Sequence, residues 1–382
     1  MNKTFKILNI TIINLFVFTI LTSPILIPYS IFRTSLSIAT SEEIDKIYLS
    51  NYKKYFLTTA RSLYQGVPLR NVIQYNRKCF TSSDKYVYLP KSNSICIQDN
   101  YEFSVPVRFG KYGNRLDNFG DIPQPRIIVL GDSHAMGWGV ADKDIFTSQI
   151  NQAGFKAINL SVSSYSTARE LLRLREWSNN NPSAYENVKS IIIQYGYNDY
   201  EENIVYLNEI DAFNNSIKVN KNQYLRVVET DNPFHLSFSK NVEIRHLMPA
   251  TREVYKYIFS WINQKIFINS SKHKETRIRN HAEILFRLLN EFSDLLEKKK
   301  IIIFVSNGYG YLNKDISDQL SEYNNNNDFL KSISIQVMST EETLLYPETN
   351  SYFALDDHIS VLGHKRLGKS LVNRLQSKQS IN

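Results

Sequence analysis

From Pro125 onward the chain alternates short β-branched runs with stretches of helical spacing, and this alternation limits the possible fold more than any other feature. The runs are RIIVL at 126–130, KAINL at 156–160, SIIIQYG at 190–196, IIIFVSNG at 301–308 and SISIQVM at 332–338. Helical spacing appears in DIFTSQINQAG, in STARELLRLREW and in the tail LGHKRLGKSLVNRLQ. Strands that alternate with helices predict a parallel sheet covered on both faces. Right-handed crossovers then bring the carboxyl ends of the strands to one edge.

Those strand ends carry the polar residues. The first ends in Gly131-Asp132-Ser133-His134. Gly131 permits a tight turn where a Cβ would clash. Ser133 opens a helix, whose free amides and dipole favour a developing negative charge. Ser and Asp are also preferred helix caps, so this stretch alone is either a nucleophile or a cap. The second run ends in NLSVSSYST, whose small residues let backbone amides approach a ligand, and the third in QYGYNDY, where Asn198 can aim an amide donor into the same crevice. After the fifth comes LDDHISVLGHKRLG, which brings His358 to the edge with Asp356 and Asp357 beside it. A neutral imidazole can take a serine proton near neutral pH, and a carboxylate orients it. Cap, turn, turn and helix start are the plain readings of these four places. Four of them at strand ends on one edge are better explained by one site. His134, adjacent to Ser133, reads as a wall or support of the pocket. Trp138 either lines the pocket or packs. His364 is expected to pack or to cap the last helix, and His235, His246, His273 and His281 to lie on the surface.

In these segments the chain resembles the SGNH/GDSL hydrolases, over roughly residues 105–377. The resemblance implies a flavodoxin-like three-layer α/β/α sandwich and a serine esterase. It makes Ser133 the nucleophile and His358 the base, and gives the oxyanion hole the amides of Ser133 and Ser164 and the side chain of Asn198. The second block of the family usually ends in glycine; here Ser164 stands there, keeping the amide but facing a different backbone demand. The family often has aspartate three residues before the histidine, where this chain has Leu355. Asp356 is the expected substitute, ahead of Asp357. The turn RFGKYGNRLDNF at 108–119 is similar to one upstream of the serine block in envelope-associated relatives.

The remainder sets the context. Residues 7–31 are mostly apolar and carry no charge, and follow Lys3 and Lys6. They read as a transmembrane signal anchor within residues 1–33, with a cleaved signal peptide as the alternative, and they put the bulk of the chain outside the cytoplasm. Residues 34–124 form an extension, with a predicted helix near 44–56. The hydrolase-like domain spans 125–380 and carries a helical insertion at about 201–300. There Ile284, Leu285, Leu288, Leu289, Phe292, Leu295 and Leu296 form one stripe, expected to be core. Cys79 and Cys96 are either a disulfide or two buried thiols. No cysteine or histidine spacing suggests zinc, and neither metal nor cofactor is expected. The net charge of +8 is diffuse and implies no nucleic-acid partner. The expected substrate is an acylated envelope carbohydrate or a small ester. Two alternatives share the sequence evidence: an O-acetyltransferase using the same site, and a non-catalytic glycan-binding or assembly protein on a degenerate hydrolase fold.

Overall fold

The computed structural model describes residues 73–99, 102–229, 270–326, 333–344, 350–353 and 356–376. No helix among them is long and apolar enough to cross a membrane. The apolar stretch at 7–31, the predicted helix at 44–56 and residues 242–267 of the insertion lie outside the described residues.

The described part of the extension contains two antiparallel hairpins, β1 (Phe80–Ser83) with β2 (Val87–Pro90) and β3 (Ser94–Asp99) with β4 (Ser104–Phe109). A disulfide joins Cys79 to Cys96 across a Cα separation of 6.0 Å, so the bridge is the alternative realised. The domain follows as β5 (Ile127–Leu130), α1 (Ser133–Met136), α2 (Phe146–Gln152), β6 (Ala157–Asn159), α3 (Thr167–Asn180), α4 (Pro182–Glu186) and β7 (Ser190–Tyr195). Then come α5 (Asp199–Asn208), α6 (Ile210–Glu229), α7 (Ser270–Glu291), α8 (Ser293–Leu296), β8 (Lys300–Val305), α9 (Asn313–Asn326), β9 (Ser334–Met338) and α10 (Val361–Gln376).

All five predicted runs are strands of one parallel sheet, ordered β6-β5-β7-β8-β9. Numbered from its first strand this is 2-1-3-4-5, the flavodoxin-like order, whose switch point lies beside β5. Successive side chains alternate between two cores. Ile128, Leu130, Ile191, Ile193, Ile301 and Ile303 face one, with Leu171 and Leu174 of α3, Leu285 and Leu288 of α7 and Ile316 of α9. Ile127, Val129, Ile192, Ile302 and Phe304 face the other, with Phe146 of α2 and Leu367 and Leu371 of α10. Burial on both faces is why these runs are apolar at consecutive positions, and it makes three layers. The whole stripe from Ile284 to Leu296 is buried, at roughly 1.5–3 kcal/mol per side chain.

The extension grips the edge of this sheet through Arg115. Its backbone amide donates to Asn159 O of β6 at 2.8 Å. Its fully buried guanidinium donates to Val140 O at 2.9 Å and to Leu116 O at 2.7 Å, and pairs with Asp142, which Arg108 also holds. Burial pulls the Arg115 pKa down and the Asp142 charge opposes it. The turn at 108–119 is thus an anchor between extension and domain.

Candidate active site

The chain leaves β5 through Gly131. A Cβ there would lie 2.5 Å from Ala135 Cβ and 2.7 Å from Gln194 Oε1, so the turn into α1 requires glycine. Gln194 Oε1 accepts the Asp132 amide at 2.9 Å. The Asp132 carboxylate accepts the His134 amide at 2.8 Å and is the N-cap of α1. The capping role therefore falls to Asp132, and the Ser133 side chain is left for other partners.

That partner is His358. Ser133 Oγ lies 2.7 Å from His358 Nε2. On the other side of the ring, Nδ1 lies 2.5 Å from Asp356 Oδ1 and 3.4 Å from Asp357 Oδ1. Asp356 is buried, whereas the Asp357 side chain is 49% exposed, so Asp356 is the closer and better shielded carboxylate. The Trp138 indole N–H donates to Asp356 Oδ2 at 3.2 Å, and the His358 amide to Oδ1 at 3.1 Å. Burial alone would raise the Asp356 pKa, but the hydrogen bonds from His358 and Trp138 win and hold it below the usual carboxylate range. Burial alone would lower that of His358, but the Asp356 hydrogen bond and the Asp356 and Asp357 charges win and raise it. A carboxylate at Nδ1 fixes the proton there, leaving the Nε2 lone pair of the neutral ring toward the serine hydroxyl.

Two rings pack on the imidazole. His134 stacks on it at 4.8 Å and Trp138 at 5.1 Å, with interplanar angles of 28° and 24°. Of the two readings offered for Trp138, packing is the one realised, and its indole nitrogen holds the carboxylate as well. His134 Nδ1 lies 3.2 Å from Ser306 Oγ. Burial pushes the His134 pKa down, against the Asp132 charge. A neutral His134 spares His358 a second cation at stacking distance.

Ser133, His358 and Asn198 line one crevice of 410 Å³ together with Tyr197, Asn307 and Tyr311. Asn198 opens α5 but makes no side-chain capping bond. A Cβ on Gly196 would sit 2.4 Å from Asn198 Oδ1, so glycine here admits the Asn198 side chain. Asp199 is buried and accepts from Thr167 Oγ1 at 2.9 Å and the Gly196 amide at 3.1 Å, tying α3 to this turn. Ser164 lies apart from that lining. Its loop runs beside the serine turn, with the Val162 amide donating to Gly131 O at 3.0 Å, but Ser164 itself lines a second cleft of 630 Å³. Its φ is +61°, the left-handed region that glycine enters freely, and its carbonyl accepts from the Arg169 guanidinium at 2.6 Å.

One histidine expectation is corrected and one is borne out. His281 is fully buried, with Nδ1 2.7 Å from the Tyr195 hydroxyl. It precedes Ile284, Leu285 and Leu288 at helical spacing and so shares their core face. His364 packs as expected, but it caps α2 rather than its own helix: the Phe146 amide donates to its Nδ1 at 3.3 Å, and burial pushes its pKa down to about 3. His235, His246 and the His273 side chain lie outside the described residues.

Sequence reasoning missed Ser306, Asn307, Gln194 and Glu102. The Ser306-Asn307-Gly308 turn ends β8 with the same small polar character used at the other strand ends, so a signal existed. Glu102, whose Oε2 accepts the Asp356 amide at 2.5 Å, gave none. Asp356, Asp357 and His358 bring three ligand-type atoms within 4.8 Å of one another. Asp356 and Ser133 already engage both His358 ring nitrogens, which argues against a metal there.

No family model and no curated protein matches the chain. Among solved structures, the chain is similar to a member of the lipolytic protein G-D-S-L family from Veillonella parvula at 11% identity and a TM-score of 0.36, over 66% of this chain and 98% of that one. It is similar to a lipase from a goat rumen metagenome at 14% identity and a TM-score of 0.33, over 65% of this chain and 95% of that one. It is also similar to an acetyl xylan esterase from Geobacillus stearothermophilus, at 11% identity and a TM-score of 0.32, over 65% of this chain and 94% of that one.

Proposed function

We propose that this chain is a serine esterase of the SGNH type that removes O-acetyl or similar acyl groups from a cell-envelope carbohydrate. The observation that carries the proposal is the continuous line from Ser133 Oγ through His358 to Asp356, at 2.7 and 2.5 Å. His358 Nε2 takes the hydroxyl proton as Ser133 Oγ attacks the ester carbonyl. Asp356 stabilises the resulting imidazolium. The oxyanion is received by the Ser133 amide and the Asn198 side chain, which line the crevice that Ser164 does not. The imidazolium gives its proton to the departing alcohol, leaving an acyl group on Ser133. His358 then deprotonates a water, which attacks the acyl-enzyme and restores the serine.

An extracytoplasmic location is supported by the Cys79–Cys96 bridge, because disulfides persist in oxidising compartments. The apolar stretch at 7–31 would supply the membrane anchor. The test is fluorophosphonate labelling together with p-nitrophenyl acetate hydrolysis. Wild type is expected to label and to turn over. Ser133→Ala is expected not to label and to lose at least about a thousandfold in kcat. Hydrolysis that survives Ser133→Ala at wild-type rate would overturn the assignment.

A further inference from the structure

Behind the crevice a buried chain of polar groups leads from the start of α9 to His134, and its hydrogen bonds can run in one direction only. Asn307, Asn313, Tyr352 and Ser306 are all buried. Asn313 Oδ1 accepts the Asn307 backbone amide at 2.9 Å and the Asn307 side-chain amide at 3.0 Å, which fixes the orientation of the Asn313 carboxamide. Its nitrogen donates to the Tyr352 hydroxyl oxygen at 3.2 Å. The Gly310 amide and the Ser306 hydroxyl also bond this group. Two N–H donors occupy the acceptor sites of the phenol, so its proton goes to Ser306 Oγ. Burial pushes the Tyr352 pKa up to about 12, which keeps that proton on the chain.

Ser306 Oγ lies 3.2 Å from His134 Nδ1. Having accepted from Tyr352, Ser306 finds no other acceptor among the described residues for its own proton. It therefore donates to Nδ1. A neutral imidazole that accepts at one nitrogen carries its hydrogen on the other, so the His134 proton sits on Nε2. This Nε2–H has no partner among the described residues, and His134 lines the crevice with Ser133, Asn198 and His358. A donor on a buried ring is costly to leave unpaired and calls for an acceptor where the ring meets the cavity. The ring stacks on His358 at 4.8 Å, beside the base that serves Ser133. With Nδ1 taken and Nε2 protonated, His134 has no lone pair to act as a rival base. It is a fixed donor, and what a fixed donor takes is an oxygen.

We infer that His134 is a further catalytic residue: its Nε2–H bonds an oxygen of the ester held over Ser133, alongside the Ser133 amide and the Asn198 side chain. That the acceptor is an ester rests on the esterase reading; the direction of the hydrogen-bond chain does not.

Nitrogen-15 spectra of protein labelled at histidine, taken near neutral pH, read the tautomer directly. Wild type is expected to show His134 neutral with its hydrogen on Nε2, and Ser306→Ala to show a mixture of tautomers. A hydrogen on Nδ1 or a charged His134 in wild type would overturn the inference. Turnover of p-nitrophenyl acetate reads the donor itself. His134→Phe keeps a flat ring against His358 without an N–H, and its kcat/KM is expected to fall at least about tenfold, the loss of one hydrogen bond to a reacting oxygen. His134→Gln, which carries an N–H at similar reach, is expected to recover part of that loss. Wild-type turnover by His134→Phe, or a Gln variant no better than the Phe variant, would also overturn it. A wild type that neither labels with fluorophosphonate nor hydrolyses the ester would sink the esterase reading and the ester as acceptor. The spectrum would then decide by itself whether His134 offers a donor to the crevice.

Discussion

His358 is constrained at both ring nitrogens and by two stacked rings, and this sets how activity should depend on pH. The base works only when neutral. Its pKa is raised above the ordinary 6.5 by Asp356 and Asp357 against the pull of burial. Protonation therefore removes activity as pH falls through that raised value, and kcat/KM for p-nitrophenyl acetate should show an acidic limb centred above pH 6.5. Asp356→Asn removes the largest raising influence, so the limb should move to lower pH while kcat falls by about a thousandfold or more through loss of the correct tautomer. A pH–rate profile of both proteins checks this; an unmoved limb would mean that another group titrates. Ser133, Asn198 and His358 were legible because each stands in a short polar stretch at a strand end. The Trp138 bond to Asp356 was not: it joins residues 218 positions apart, and only the fold brings them together.

The elements around the site explain the sequence's departures from the family pattern. The β6–α3 loop turns at Ser164 with φ of +61°, where a side chain costs about 1–2 kcal/mol relative to glycine. Arg169, reaching back from α3 to the Ser164 carbonyl and held in turn by Glu202, offsets that cost. Ser164→Gly relieves the strain and adds the freedom of glycine to the unfolded chain, at roughly 0.5–1 kcal/mol. The net expectation is a change of about 0–1.5 kcal/mol toward higher stability in urea unfolding, with the labelling rate of Ser133 unchanged. A clear loss of stability would show that the serine side chain is itself needed. The strand pattern was legible from consecutive apolar residues, because a sheet covered on both faces leaves few other choices. The role of Arg169 was hidden, since a charged residue inside a helical repeat reads as a solvated face until the neighbouring loop is seen.

At the scale of the whole molecule, the described extension is part of the machinery. Its Arg115 is buried against the edge of the sheet, and its Glu102, between β3 and β4, accepts the amide of Asp356. None of this was legible, because an ion anchored on backbone carbonyls leaves no periodic signature in the sequence. The described part of the extension holds two hairpins, and paired strands of that size need further support to be stable. Cys79–Cys96 supplies it by closing a loop of sequence separation 17 that contains β1 and β2. Chain entropy puts such a closure at about 3 kcal/mol. Cys79→Ser/Cys96→Ser, or reduction of the wild type, should therefore lower Tm by several degrees. The carboxylate behind His358 is held partly from this extension, so kcat for p-nitrophenyl acetate should fall as well, at a temperature where the protein is still folded. Thermal unfolding and turnover measured with and without dithiothreitol check both parts. An unchanged Tm would remove the bridge from the stability of the fold. A lowered Tm with unchanged kcat would separate the extension's packing from its hold on the site.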